Sequence, residues 1–345
     1  MTAPQAAGNP AAAGLKARLR GIVLTFMLAV TAAVLGAWFP IIGGPVFGIV
    51  LGMVVKGTGR VDASYRSGIT FSSKQILQYS VILLGAGLSM REIISTGASS
   101  LSVMLSTLTA GLLTAWVVGR ALKISGDLTT LIGVGTAICG ASAIAAVSPV
   151  IEAEEQDVAY GISTIFLFNI AAVLVFPTLG RLLGLSQHAF GLWAGTAIND
   201  TSSVVAAAYS YGQTAGAYAT IVKLTRSTII IPIALTLAAI RTIKARRAGG
   251  ETADVNVVRL IPWFIVWFLV AALLNTVGVL SPAVIHGATT TGTFLIVVAL
   301  TAVGLSADFR QMAKTGFKPI FLGMVLWVVV AVTSLVVQHL TGQLI

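Results

Sequence analysis

Five consecutive polar residues, Asn199, Asp200, Thr201, Ser202 and Ser203, stand inside the otherwise apolar stretch GTAINDTSSVVAA, Gly195 to Ala207. A carboxylate in such surroundings is costly unless hydrated, paired or hydrogen-bonded, which makes Asp200 the first candidate for chemistry. Asp, Thr and Ser also accept hydrogen bonds from the free N–H groups at a helix start, where the helix dipole favours negative charge. One Asp can both cap a restarted helix and bind a proton or Na⁺ beside unwound carbonyls, so the two roles are compatible.

A second stretch, GTAICGASAIAAV from Gly135 to Val147, repeats the first at an offset of 60 with six of thirteen positions identical. Small residues abound in packed membrane helices, so part of this likeness follows from composition. The sharper reading is a pair of helices interrupted near mid-membrane, the sequence feature that best points to a transporter site. The first copy supplies Thr136, Cys139, Gly140 and Ser142, uncharged groups able to offer N–H and O–H donors to an anion, although a lone Cys139 is first of all a small packing residue. Lys223 and Arg226 are three residues apart, hence on one helical face. Counting back from Arg241 puts them near the outer boundary, where they either snorkel to headgroups or draw in a small anion and pair with Asp200 in its absence. The expected substrate-binding set is therefore Thr136, Cys139, Gly140, Ser142, Asn199, Thr201, Ser202, Lys223 and Arg226, with Asp200 as the ion-coupling residue. Beyond Na⁺ near Asp200, no metal is expected, and no cofactor.

The elements that must position these groups are membrane helices. Hydrophobic residues make up 57% of the 345-residue chain and charged residues 9%, against about 25% charged in soluble domains. A hydrocarbon core about 30 Å thick takes about 20 apolar residues per helix. Eleven hydrophobic segments meet that pattern, near 21–38, 40–55, 75–90, 98–119, 128–151, 156–178, 189–211, 216–240, 259–279, 289–306 and 319–340. The expected fold is an all-α polytopic membrane protein: a disordered tail over residues 1–14, then one transmembrane transporter domain over 15–345. Segments 128–151 and 189–211 are the two discontinuous helices, broken or re-entrant; the reading leans to re-entrant hairpins, with eleven full spans as the alternative.

The formal charge of +10 does not indicate nucleic acid, because the basic residues flank apolar segments. Lys16, Arg18 and Arg20 precede the first segment; Lys56, Arg60 and Arg66 follow the second; Arg120 and Lys123 the fourth; Lys244, Arg246 and Arg247 the eighth; and Arg310, Lys314 and Lys318 the tenth. All fit a multi-pass protein of the cell membrane with its N-terminus inside and its C-terminus outside. Gly87-Leu88-Ser89 and Gly304-Leu305-Ser306 end two segments on opposite sides in that topology, the relation expected of inverted repeats. Glu152, Glu154, Glu155 and Asp157 read as a solvated loop, and Gln78, Asn169 and Asn275 as helix-packing polar groups. The only histidines are His188, His286 and His339, with no HExxH, P-loop or GxSxG pattern, so an enzyme is not expected.

ICGASAIAAVSPVIEAE (138–154), GTAINDTSSVVAA, the Lys223 and Arg226 pair, IPWF (261–264) and GLSADFRQMAKTGFKP (304–319) together resemble the sulfate exporter family of YeiH-type conserved membrane proteins. That resemblance runs over most of the chain beyond its first twenty residues and implies kinship with transporters of the bile-acid and sodium-proton antiporter type, whose cores hold paired discontinuous helices. The family commonly has His before the acidic residue where this chain has Asn199, so the acidic position carries over and the imidazole does not. The expectation is secondary transport of a small anion, sulfate or a sulfonate, outward, coupled to H⁺ or Na⁺. The partners are that anion, the coupling ion and the bilayer, with a homodimer allowed. A sodium/proton antiporter and a non-transporting membrane subunit or sensor are the rivals.

Overall fold

The computed structural model describes residues 10–39, 43–59, 61–230, 232–233, 236–237, 263–307 and 315–344, and all regular structure among them is helical. The helices are α1 (Pro10–Trp38), α2 (Gly44–Gly57), α3 (Arg66–Phe71), α4 (Leu77–Gly85), α5 (Met90–Ala121), α6 (Gly126–Ala137), α7 (Ala141–Val147), α8 (Glu155–Leu182), α9 (Gln187–Ala197), α10 (Thr201–Tyr211), α11 (Gln213–Thr228), α12 (Trp263–Thr276), α13 (Pro282–Leu305) and α14 (Phe317–Leu340). A π-turn over Ser72–Ile76 joins α3 to α4. Of the expected tail, residues 1–9 lie outside the described residues, as do Arg60, Lys244, Arg246, Arg247, Arg310 and Lys314.

Polar caps set where the helices start. Ser89 and Glu92 form a reciprocal box at the head of α5: the Glu92 carboxylate accepts from Ser89 N at 2.7 Å, and Ser89 Oγ accepts from Glu92 N at 3.2 Å. Ser125, Ser186 and Ser281 cap α6, α9 and α13, and Pro282 occupies the first position of α13, where its missing N–H costs nothing.

Among the described residues five helices are long and apolar enough to cross a membrane: Arg18–Trp38 within α1, then α5, α8, α13 and α14. The other six expected segments fall differently. Segments 40–55 and 75–90 correspond to the shorter α2 and α4, 128–151 is divided between α6 and α7, and 189–211 between α9 and α10. Segments 216–240 and 259–279 correspond to α11 and α12 and run into residues outside the description.

The helices sort into two groups. In the first, α2 lies against α13 and α1, and α4 against α13 and α12. In the second, α9, α10 and α11 pack together, α14 packs on α5, and α8 runs past α6 and α10. The groups meet along two apolar seams. One joins Val46, Ile49, Ile296 and Leu300 to Val205 and Ala206 of α10; the other joins Val81, Ile265 and Phe268 to Ile221 and Leu224 of α11.

Two parts of the chain leave a point and return to it. Ser125 Oγ donates to the Asp157 carboxylate at 2.7 Å, so the start of α6 sits beside the start of α8 and residues 126–154 form a closed excursion. Tyr211 donates its hydroxyl to Leu185 O at 2.5 Å and Gln187 accepts from Ala215 N at 3.2 Å, which closes a second excursion over α9 and α10. The two begin at opposite ends of α8, whose 28 residues rise about 42 Å at 1.5 Å each.

Candidate functional site

The tips of the two excursions meet. At the first tip α6 ends at Ala137 and the chain turns through Gly140, with φ 71° and ψ −137°, into α7. At the second, α9 ends at Ala197, Ile198 and Asp200 are extended, and α10 begins. A Cβ built on Gly140 would lie 3.2 Å from Asp200 Cβ, so glycine both supplies the positive φ and lets the two turns touch.

Asp200 caps α10. Its carboxylate accepts from Ser202 N at 2.9 Å and from the Ser202 hydroxyl, satisfying one of the free N–H groups of the first turn. Its own N–H donates to Asn169 Oδ1 at 3.2 Å. Asn169 lies midway along α8, which runs from one excursion's base to the other's, so this single amide marks the level at which the tips meet.

Chain ends at α6 and α9 leave carbonyls without intrahelical donors, and two cations from α11 take them up. Arg226 donates through Nε to Ala137 O at 2.7 Å, through Nη2 to Thr136 O at 3.0 Å, and through Nη1 to Thr196 O. Lys223 Nζ donates to Ile138 O and to Ile198 O, each at 2.9 Å. Each cation therefore holds one carbonyl end from either excursion, where the negative end of the helix dipole favours it. The planar guanidinium fork suits three fixed acceptors; the ammonium suits two. α9 and α11 run parallel, with Gly191 against Tyr218 and Gly195 against Val222, which brings both cations to the level of the tips.

Neither side chain snorkels outward, the alternative to a role at the site. Lys223 and Arg226 have 0% exposure and are the only charged side chains buried among the described residues. α11 starts at Gln213, so ten residues precede Lys223 on the way in from the base of the second excursion. None of their hydrogen bonds among the described residues goes to Asp200.

Thr136, Cys139, Gly140, Asn199, Asp200, Ser202, Lys223 and Arg226 are thus drawn to one junction. Thr201 is half-buried in the first turn of α10, and Ser142 of α7 is exposed. Cys139 packs with Ile138, Ala143 and Ile144 in an apolar cluster, the small-residue role its type suggested. Among the described residues Thr136 Oγ1 and Asn199 Oδ1 have no hydrogen-bond partner although both residues are 1% exposed, which leaves one hydroxyl and one acceptor oxygen open at the junction.

Residue-by-residue reading of the sequence assigned Asn169 to packing and passed over Thr196, Ser334 and Gln338. Thr196 Oγ1 and Ser334 Oγ share a hydrogen bond of 2.7 Å, and Gln338 Nε2 donates to Ser334 Oγ at 3.1 Å, tying α14 to the second tip. The signal available for Asn169, Ser334 and Gln338 was a polar residue within a long apolar helix.

Toward the base of the second excursion, a cavity of about 580 Å³ opens between the helix groups, lined by Tyr209, Gln213, His286, Thr289, Thr290 and Thr293 among others. On α10, Val205 and Ala206 lie between Tyr209 and Asp200 and pack with Ile296 and Leu300 in the first apolar seam.

Residues 20–323 match the family described as conserved hypothetical protein 698. The chain belongs to this family. Family relatives include the UPF0324 membrane protein of Streptococcus mutans serotype c, 42% identical over 334 residues that cover 94% of this chain and 98% of the relative. A UPF0324 membrane protein of Fusobacterium nucleatum subsp. nucleatum is 40% identical over 345 residues, 94% of this chain and 99% of its own. That of Streptococcus agalactiae serotype V is 41% identical over 335 residues, 95% and 98% of the two chains. With the five long apolar helices, this makes the chain a conserved membrane protein of the family. The relatives' names state no solute.

Proposed function

We propose that the protein is a secondary transporter of a small anion. The observation that carries the reading is the junction itself: two closed excursions from opposite ends of α8 meet tip to tip, with Gly140 against Asp200 and both sets of helix-end carbonyls held by Lys223 and Arg226. In this reading α6–α7 and α9–α10 are discontinuous, re-entrant membrane elements whose tips lie near the midplane. Irregular backbone at that depth is tolerated where it is buried in protein or lines a solute's path. The resemblance to the sulfate exporter family supports an oxyanion as solute, and the basic flanks support a cell-membrane protein with its N-terminus inside.

Each group of residues has a part. Lys223 and Arg226 hold the tips in register and supply positive potential; Asn199, Thr136 and Ser202 offer neutral hydrogen bonds; Asp200 couples the solute to H⁺ or Na⁺. Alternating access comes from the group carrying both excursions moving against the group of α1–α4, α12 and α13, sliding along the apolar seams. The seam below the Tyr209 and His286 cavity is the closed gate of this state.

Proteoliposomes loaded with sulfate, sulfite, methanesulfonate or short carboxylates test the reading. Transport of one of these is expected, strongly reduced by Asp200→Asn and by Lys223→Ala; unchanged flux in both variants would sink the residue assignments. Cation flux that does not depend on any anion would replace this reading with sodium/proton antiport. A second experiment bears on the gate. A Cβ on Gly43 would stand 3.2 Å from Ser210 Cβ, a few tenths of an ångström short of the usual 3.5–4.5 Å disulfide range. Gly43→Cys with Ser210→Cys is expected to cross-link the outer seam and stop transport until reductant is added, with Gly43→Cys alone as the control for the strain of a side chain at φ 78°. Full transport by the cross-linked form would exclude the sliding motion.

A further inference from the structure

The two excursions are alike in sequence but not in surroundings. At the offset of 60, Ser142, Ala145 and Ala146 of α7 stand where Ser202, Val205 and Ala206 stand on α10. On α10 all three positions are buried, and Val205 and Ala206 close the seam against Val46, Ile49, Ile296 and Leu300 of the first helix group. On α7, Ser142 and Ala145 are exposed and Ala146 is half-buried. α10 packs on α2 and α13 of the first group, whereas α7 packs on α6 and α8 of its own. One face is thus covered in the second copy and open in the first.

An open face within a membrane protein meets lipid or water, and two observations favour water here. Elsewhere in the chain exposed surface carries large apolar side chains, among them Met27, Leu113, Trp267 and Val332, as lipid contact requires. The exposed positions of α7 and of the turn after it are Ser142, Ala145 and Pro149, with Ser148 half-buried beside them, and α7 exposes no large apolar side chain. The second observation is Asp200, which touches Gly140 at the head of α7 and is itself only half-buried. A carboxylate at that depth needs water or polar partners over its open part. On the outer side of it Ser202 to Ala208 are buried without a break, so the water comes along α7.

Resting on the transport reading above, we infer that the junction of this structure opens through the face of α7 toward the base of the first excursion, the cytoplasmic side by the basic flanks, and that Ser142, Ala145 and Ser148 line the solute's inner route. The sequence likeness of the two copies gives the opposite state as well: α7 covers its Ala145 and Ala146 face against the first group while the Val205 and Ala206 seam parts. Two similar half-helices in unlike surroundings are the two positions of one gate.

Thiol labelling in sealed membrane vesicles tests this without relying on transport. Single substitutions Ser142→Cys, Ala145→Cys and Val205→Cys are made in the full chain, with wild type, whose one cysteine is the buried Cys139, as the baseline. Gly126→Cys, exposed at the base of the first excursion, and Thr290→Cys, in the outer cavity, mark the two sides. The probe is a membrane-impermeant trimethylammonium methanethiosulfonate, added to right-side-out and to inside-out vesicles. Ser142→Cys and Ala145→Cys are expected to react from the Gly126→Cys side at least about tenfold faster than from the other, and Val205→Cys to stay near the baseline from both. Reaction of Ala145→Cys only from the Thr290→Cys side, or only with a lipid-soluble maleimide, would overturn the inference while leaving anion transport standing. The expected labelling in a protein that moves no anion would support the opening and overturn the transport reading.

Discussion

Arg226→Leu is expected to unfold the junction before it alters any transport rate. The guanidinium makes three hydrogen bonds to carbonyls of both excursions with no exposure to water, so leucine leaves helix-end acceptors buried and unpaired. Removing one partner of such a buried, charge-assisted set typically costs roughly 3–5 kcal/mol. Detergent-solubilised Arg226→Leu should therefore melt well below wild type in a fluorescence-detected size-exclusion assay. Arg226→Lys should recover only part of the loss, since an ammonium cannot meet three fixed acceptors in the same plane. Lys223→Met, which gives up two bonds, should fall between wild type and Arg226→Leu. An Arg226→Leu protein with wild-type melting behaviour would show that the clasp does not hold the tips.

Gly140→Ala is expected to do the reverse, sparing the fold and damaging function. At φ 71° and ψ −137° the backbone is in territory nearly reserved for glycine, and holding another residue there costs about 1–3 kcal/mol. The new Cβ would meet Asp200 Cβ at 3.2 Å, tight enough that one tip must give way by a few tenths of an ångström. A misplacement of about 1 Å can cost on the order of 10²-fold in rate where geometry is critical, and a shift of a few tenths of an ångström a part of that. Solute flux in proteoliposomes should drop by at least about tenfold while the size-exclusion profile stays monodisperse. Gly57→Ala, where nothing lies within 4 Å of the added carbon, is the control and should behave as wild type. Undiminished flux in Gly140→Ala would mean that close contact of the tips is not required.

Much of the arrangement was legible in the residues because membrane burial imposes a simple code. Apolar length marks helices, and a polar run such as Asn199–Ser203 inside an apolar stretch stands out against it. Ser89 with Glu92, and the serines at 125, 186 and 281, cap helix starts through hydrogen bonds to residues within three positions, a local signal that the segment boundaries read from hydropathy did not use. The repeated GTAI stretches both turned out to end a helix, at Ala137 and Ala197, because each is followed by residues that favour a break or a new cap.

Other features had no local signature. Counting from Arg241 left open whether Lys223 and Arg226 snorkel outward, because the burial of a side chain depends on where its helix begins and what surrounds it. Asn169 looked like an ordinary packing group and Ser334 drew no reading, because the partners that give them meaning, Asp200 and Thr196, lie 31 and 138 residues away. By itself the sequence determined that this is an all-helical membrane chain, with two repeated break points and a carboxylate at one of them. Only the tertiary structure decided that the breaks meet and that the fully buried Lys223 and Arg226 clasp their carbonyl ends. Helix ends are specified by neighbours along the chain, but compensation of charge is specified by neighbours in space.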